Sequence, residues 1–472
     1  MQKIYIRSLL LPLSILLLAS CSIGKNFRRP QTTLPETFRN AAAPADSASV
    51  ADMPWQEFFS DPVLQELIAK TIRNNFDMRL ALKNIESANQ TLKQSRAAFA
   101  PDLNLGISAA SNRPSGSSLN GISLSQFLGT THLEDFNTGL TLSWEIDIWG
   151  KMRRQKEAAQ ADYLQSGENV RAIQTRLVSS VAGGYYNLLM LDAQLATARR
   201  NVQLNDSILQ ITRLRKEAGQ TTSLAVQLVE SQKQAAEMLI PQIEQEIVIQ
   251  ENALKMLSAE LPDSIQRSML LSDVVMSDSL STGFPLSILS RRPDVKAAEL
   301  QVKAANARAG VAQASMYPSL VINLGAGLNS FTAGNWFNIP GSLFGTFFGG
   351  LTQPLFNRRK LKTQFELAKI ERDRSIIGFE RSVLGAVGEV SDALVKVEKL
   401  KARQQIARDR VFTLQRALSD ARLLFQTGMA DYLEVITAQS ALLQGELELS
   451  ALTCNLYLAK IELYRALGGG WK

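Results

Sequence analysis

The sequence predicts a mostly α, internally duplicated chain: long helices that close into an α-barrel, plus a membrane β-barrel portion shared between subunits. Three observations predict it. Two proline-free stretches, Lys151 to Ala218 and Arg358 to Thr427, carry apolar residues at three- and four-residue spacing. Three short segments alternate apolar and polar residues with period two, and a fourth stands at the equivalent place. The order of these segments occurs twice along the chain.

Composition narrows the class. In 472 residues there are 51 Lys plus Arg and 44 Asp plus Glu, a formal net charge of +7 that is spread along the chain. A nucleic-acid partner is therefore not implied. Hydrophobic residues at 45% and charged residues at 20% exclude a disordered chain. Two cysteines and one histidine leave no zinc cluster, no disulfide framework and no histidine-based catalytic set beyond His132. No metal site, cofactor or catalytic residue is expected.

The N-terminus reads as an address. Lys3 and Arg7 precede an apolar run, Leu9 to Ala19, too short to span a bilayer, which needs ~20 residues. The run ends in Leu18-Ala19-Ser20-Cys21. A cysteine directly after small residues resembles the bacterial lipobox, whose cysteine is acylated and becomes the mature N-terminus. The other reading is an ordinary signal peptide with a stray cysteine. Ser22 follows where Asp, in enterobacterial lipoproteins, would favour inner-membrane retention. Loss of residues 1–20 lowers the charge to about +5. Cys454 lies on an apolar helical stripe, as a core residue would.

Residues 75–81 align with 292–298 at an offset of 217, which also relates Ala88-Asn89 to Ala305-Asn306 and Pro101 to Pro318. Trp149-Gly150 faces Phe356-Asn357 at an offset of 207, and Gly219, Leu224 and Ser231 face Gly428, Leu433 and Ser440 at 209. Each half thus runs helix, β-hairpin, very long helix, Gly-containing turn, helix. The expected divisions are a signal peptide at 1–20, a lipidated segment at 21–60 and a first repeat at 61–260 with its hairpin at 101–149. A linker or equatorial segment at 261–292, a second repeat at 293–467 with its hairpin at 318–357, and a tail at 468–472 follow.

Strands are expected at 102–109, 140–148 and 319–329, and a fourth at about 343–354, where the Phe- and Gly-rich sequence alternates poorly and the repeat supplies much of the argument. A helix of ~68 residues is roughly 100 Å long. Pro241 is expected to kink the 223–260 helix. Strands that cross a bilayer must close into a barrel, because lipid cannot satisfy an open edge. Bacterial barrels of this kind have at least ~8 strands. Four strands cannot close, so several copies must share one barrel, with Leu and Ile toward lipid and Asp102, Asn104, Glu145, Asp147 and Asn323 toward a wet lumen.

Trp144-Glu145-Ile146-Asp147-Ile148-Trp149-Gly150-Lys151 resembles the strand-to-helix junction of TolC-type outer-membrane efflux proteins, lipoprotein branch (NodT/OprM-like). Arg291-Arg292-Pro293-Asp294-Val295, Ala304-Ala305-Asn306-Ala307 and Tyr317-Pro318 are similar to its second signature. Phe27-Arg28-Arg29-Pro30, Trp55, Phe58-Phe59, Asp61-Pro62 and Leu467-Gly468-Gly469-Gly470-Trp471 are similar to its two ends. The resemblance covers essentially the whole mature chain. It implies a homotrimer with a twelve-stranded β-barrel and a twelve-helix α-barrel, placed in the outer membrane with the helices in the periplasm and palmitate on Cys21. It further implies a passive exit duct for small molecules such as drugs, served by a periplasmic adaptor (membrane fusion protein) and an inner-membrane pump of the RND class.

Rival readings are a lipid-anchored coiled-coil scaffold, which leaves the two equivalent hairpins unexplained, and a protein-secretion duct. An enzyme reading has only Asp294 beside Arg291-Arg292 as a phosphate site, and Pro293 as first helical residue with Asp294 in the first turn accounts for those residues. Gly219-Gln220-Thr221-Thr222 and Gly428-Met429-Ala430-Asp431 read as turns, with adaptor docking or gating as an added role. The resemblance implies a tip closed by charged side chains near this turn, with Asp431 as the gate candidate and Arg422 and Lys216 as its ionic partners, although the carboxylate of related channels stands one position earlier, where this chain has Ala430.

Overall fold

The computed structural model describes residues 23–31, 35, 37–39, 49–276 and 285–472. The segment 1–20 and Cys21 lie outside these residues. The main helices are α1 (Pro62–Asn74), α2 (Phe76–Ala97), α3 (Leu119–Phe127), α4 (Lys151–Glu217), α5 (Ser223–Leu257), α6 (Pro293–Ala314), α7 (Lys360–Thr427) and α8 (Tyr432–Ala466). The strands are β1 (Asp102–Asn112), β2 (Leu133–Ile146), β3 (Ser319–Ser330) and β4 (Leu343–Thr352). Corresponding helices of the two halves have 22 and 22, 67 and 68, and 35 and 35 residues, which identifies an internal duplication. No helix of the described residues is long and apolar enough to cross a membrane. Pro241 lies within the continuous span of α5. The chain forms two compact units. Of the described residues, one holds those within 23–30, 86–164 and 299–377; the other holds those within 31–85, 165–298 and 378–472.

The first unit is built on one antiparallel sheet in the order β1-β2-β3-β4. Its register explains the alternation in the sequence. Leu103 pairs with Leu142, which pairs with Leu324, which pairs with Phe347; Leu105 pairs with Leu140, and Trp144 with Ile322. One face is therefore apolar. Asp102, Asn104, Thr141, Ser143, Glu145 and Asn323 share the other face by register. Strand β4 alternates poorly for a visible reason. Phe344 stands on the polar face opposite Gly327, and Gly327 is opposite Gly139. A Cβ at Gly327 or Gly139 would come to 3.0 or 3.2 Å from the Phe344 ring, so one ring covers two glycines.

Asp147 departs from the expectation. Strand β2 ends at Ile146, and Asp147 turns onto the start of α4 instead of facing a lumen. Its Oδ1 accepts from the Met152 amide at 2.9 Å and its Oδ2 from the Arg153 amide at 3.1 Å, which satisfies two of the free amides at a helix start. Gly150 has φ +78°, the left-handed conformation this sharp turn needs. The second half makes its junction without a glycine, and Arg358 and Arg359 take φ of +51° and +66°. Helix α3 was not foreseen: the β1–β2 connection reads as Ser-, Gly- and Asn-rich loop, yet Ser118 caps a nine-residue helix by accepting from the Gly121 amide.

The second unit is helical and has its core where N-terminal residues meet long helices. Trp55, Phe59, Leu64, Ile68, Tyr185, Leu188, Leu254 and Tyr464 are buried together. Asp61, 1% exposed, caps α1 by accepting from the Val63 and Leu64 amides, while the Tyr185 and Ser268 hydroxyls donate to it at 2.8 and 2.6 Å. Four donors make a buried carboxylate tolerable there. Burial, with the hydrogen bond to Asp61, pushes the Tyr185 hydroxyl up to about 12. The Cys454 thiol is fully buried, donates to Asn187 Oδ1 at 3.3 Å and is pushed up to about 12 by burial, so it is an unreactive core residue.

Two signatures noted separately in the sequence meet in this unit. Arg292, 5% exposed, donates to Asp294 through two nitrogens at 3.0 and 2.6 Å, to Glu389 at 2.9 Å and to the Ala466 carbonyl at 3.0 Å. Burial raises the Asp294 carboxyl, but the Arg292 guanidinium outweighs it and holds the group below the usual carboxylate range. Gly468 takes φ +97°, and a Cβ on it would lie 2.9 Å from the Arg291 carbonyl carbon. A Cβ on Gly469 would lie 2.3 Å from the Tyr464 ring. Trp471 donates its indole N–H to the Arg291 carbonyl at 3.3 Å and stacks 4.8 Å beneath the Arg171 guanidinium.

Candidate functional site: the helix turns and the start of the described chain

Both turns end their long helices with the same backbone device. After α4, the Gln220 amide donates to the Arg215 carbonyl and the Gly219 amide to the Lys216 carbonyl, with Gly219 at φ +72°. After α7, the Met429 amide donates to the Leu424 carbonyl and the Gly428 amide to the Phe425 carbonyl, with Gly428 at φ +79°. This is the Schellman arrangement, and glycine supplies its left-handed residue without a Cβ penalty. The return helices are capped differently. The Thr222 hydroxyl accepts from the Ala225 amide at 3.3 Å. Asp431 forms a capping box with Glu434, whose Oε2 accepts from the Asp431 amide at 3.2 Å. Beneath the turns, Ile208, Leu209, Val229, Val411, Leu418, Phe425, Val435 and Leu442 form a buried cluster contributed by all four helices.

Asp431 and Lys216 are exposed and Arg422 is half-buried. Among the described residues no ion pair joins Asp431 to Arg422 or Lys216. What ties the two turns within one chain is Arg215, absent from the sequence-derived candidates. Its guanidinium lies 4.2 Å from the Phe425 ring centroid and donates to the Phe425 and Gln426 carbonyls at 2.6 and 3.2 Å. A cation at a helix C-terminus meets the negative end of the helix dipole. The local signal was the position of Arg215 in the last turn of α4; the Phe425 pairing, 210 residues away, had none.

At the other site the described chain begins two residues after Cys21. The Ile23 amide donates to the Trp149 carbonyl at 3.2 Å, Arg154 donates to the Gly24 carbonyl and to Asn26 Oδ1 at 3.0 and 2.9 Å, and Asn306 donates to the Lys25 carbonyl at 2.9 Å. Arg29 then forms a two-bond pair with Glu299. This N-terminal segment is therefore stitched to the strand-to-helix junction, where Trp149 itself donates to the Pro318 carbonyl at 2.6 Å.

An amphipathic sheet with two open edges, joined in one duplicated chain to pairs of very long helices, defines the subunit of an outer-membrane channel. The chain belongs to the outer membrane efflux protein family, whose profile matches residues 67–260 and 285–469. It is 30% identical over 475 residues to the cation efflux system protein CusC of Escherichia coli, covering 98% of this chain and 99% of CusC. A solved structure of CusC superposes with a TM-score of 0.86 at 27% identity, covering 95% of this chain and all of that one. The probable outer membrane lipoprotein SilC of Salmonella typhimurium is 29% identical, with 97% of each chain covered. The toluene efflux pump outer membrane protein TtgF of Pseudomonas putida is 29% identical, with 96% of this chain and 95% of TtgF covered.

Proposed function

We propose that the chain is the outer-membrane exit duct of a tripartite efflux system. It acts as a homotrimer through which small molecules leave passively. An inner-membrane pump, of the RND class, supplies the energy, and a periplasmic adaptor joins pump to duct. The observation that carries this reading is the open sheet. Among the described residues, strands β1 and β4 each present one edge with no partner strand, while the sheet has a continuous apolar face. Lipid cannot satisfy those edges, so further copies must. Three copies supply twelve strands, above the ~8 that the smallest such barrels use.

Membrane anchoring through an acylated Cys21 fits the N-terminal stitching. The stitching holds residues 23–29, directly after Cys21 and Ser22 in sequence, against the strand-to-helix junction, and that supports the anchoring reading. On the gate reading three copies of Asp431 meet near a narrow tip, with Arg422 and Lys216 as their ionic partners. The named relatives carry cations and toluene at 30% and 29% identity, so cargo choice belongs to the pump. The test is reconstitution of the purified oligomer in planar bilayers. Discrete conductance steps support the duct; a monomer in mild detergent with no conductance contradicts it.

A further inference from the structure

The two strand-to-helix junctions are equivalent by the internal repeat, yet their charges are treated in opposite ways. At the first, the three cations of residues 151–155 each have a carboxylate: Lys151 meets Glu145 at 2.8 Å, Arg153 meets Asp147 at 3.2 Å and Arg154 meets Glu157 at 2.7 Å. At the second, Arg358, Arg359, Lys360 and Lys362 are all exposed, and among the described residues none of them forms an ion pair. Residues 300–365 contain no Asp or Glu at all. Leu355 and Phe356, directly before the cations, are 91% and 94% exposed. An apolar pair followed by four unneutralised cations, at the end of a membrane strand, has the pattern of an interfacial lipid contact.

We propose that the β4–α7 junction binds an anionic phospholipid of the leaflet that faces the helices. Arg358, Arg359, Lys360 and Lys362 hold the phosphate-bearing headgroup, and Leu355 and Phe356 lie against the acyl chains. The inference rests on the membrane reading above. Charge complementarity selects lipid over a second copy of the chain. A neighbour pairing its β1 with β4 would bring Asp102 to this end of the edge, because Glu145 and Asp147 are already taken by Lys151 and Arg153. One carboxylate leaves three of the four cations unbalanced.

The test uses the full-length oligomer in mild detergent, stripped of lipid and offered equal amounts of palmitoyl-oleoyl phosphatidylglycerol and phosphatidylcholine, with adducts counted by native mass spectrometry. The wild type should retain about tenfold more phosphatidylglycerol. The variant Arg358→Ala/Arg359→Ala/Lys360→Ala/Lys362→Ala should retain the two about equally, the pair Arg359→Ala/Lys362→Ala should fall between, and Arg113→Ala, at the other end of the hairpin, should keep the wild-type preference. Equal retention by the wild type, or an undiminished preference in the fourfold variant, overturns the proposal. A fourfold variant that dissociates to monomers assigns the cations to a neighbouring copy and also overturns it, as does displacement of the lipid by millimolar inorganic phosphate. Conductance of the wild type in phosphatidylcholine bilayers is the separate readout. Channels without lipid preference sink this inference alone, and absence of channels sinks the membrane reading.

Discussion

Replacing Arg215 by alanine tests whether the two helix turns act as one unit. The substitution removes two charge-assisted hydrogen bonds, at 2.6 and 3.2 Å, from the Phe425 and Gln426 carbonyls, and a cation–π contact at 4.2 Å. Hydrogen bonds from a charged donor contribute ~1.5–3 kcal/mol and an exposed cation–π contact ~0.5–1 kcal/mol. Water replaces part of this at a half-exposed site, so a local loss of about 2 kcal/mol is expected. That corresponds to about thirtyfold more frequent opening of the turn. The assay is hydrogen exchange at the Gly428 and Met429 amides, which close the α7 turn onto the Phe425 and Leu424 carbonyls. Their protection should fall about thirtyfold in Arg215→Ala, and Arg215→Lys should recover only part of it, since lysine cannot present a planar fork. Unchanged protection in Arg215→Ala would refute the coupling.

Other outcomes follow from the same geometry. Gly469→Ala forces a Cβ to within 2.3 Å of the Tyr464 ring and should cost about 1–3 kcal/mol, read as a lowered thermal midpoint, whereas Gly219→Ala, with open space around it, should cost only the left-handed backbone penalty of about 1–2 kcal/mol. Arg292→Ala leaves Asp294 and Glu389 without their shared guanidinium and should destabilise by about 3–5 kcal/mol, measured by denaturant midpoint. Because the Asp294 carboxyl is held below its ordinary value, its contribution is fully present above the unfolded carboxylate pKa of ~3.9 and lost as pH falls through the lower folded value; Asp294→Asn should flatten that acid limb of the stability profile. If the gate reading holds, Arg422→Ala raises single-channel conductance, divalent cations lower it again, and Asp431→Ala removes the cation effect; if Asp431 acts only in its capping box, Asp431→Ala costs about 1 kcal/mol of helix stability and leaves both electrical readouts unchanged. Cys21→Ser should abolish incorporation of radioactive fatty acid, and label persisting in the variant would exclude Cys21 as the lipid site.

Local pattern made much of the fold legible. The absence of proline from Lys151 to Ala218, with its three- and four-residue apolar spacing, is enough to demand one long helix, and the period-two segments around Leu105 and Leu142 demand strands. Strand β4 was legible only through the repeat, because Phe344 on the polar face obeys a partner strand's glycines rather than its own alternation. Asp147 was misread for a related reason: period two continues one residue beyond the strand, and only the α4 amides reveal where the carboxylate goes. Arg215 with Phe425, and Gly468 with Arg291, depend on residues 210 and 177 positions apart, for which a single chain carries no local signal. Among the described residues Asp431 forms no ion pair with Arg422 or Lys216, and its capping box with Glu434 is what the local sequence does show.

The central claim is that three copies complete one barrel through β1 and β4. It is tested most directly by edge-to-edge disulfide trapping. Leu105→Cys on β1, combined in one chain with single cysteines scanned along 343–352 of β4, is oxidised in the assembled oligomer and run without reductant. The account predicts that one position on β4 gives a covalent ladder that stops at three copies and collapses on reduction. Monomers at every position, or a ladder that runs past three, would contradict it.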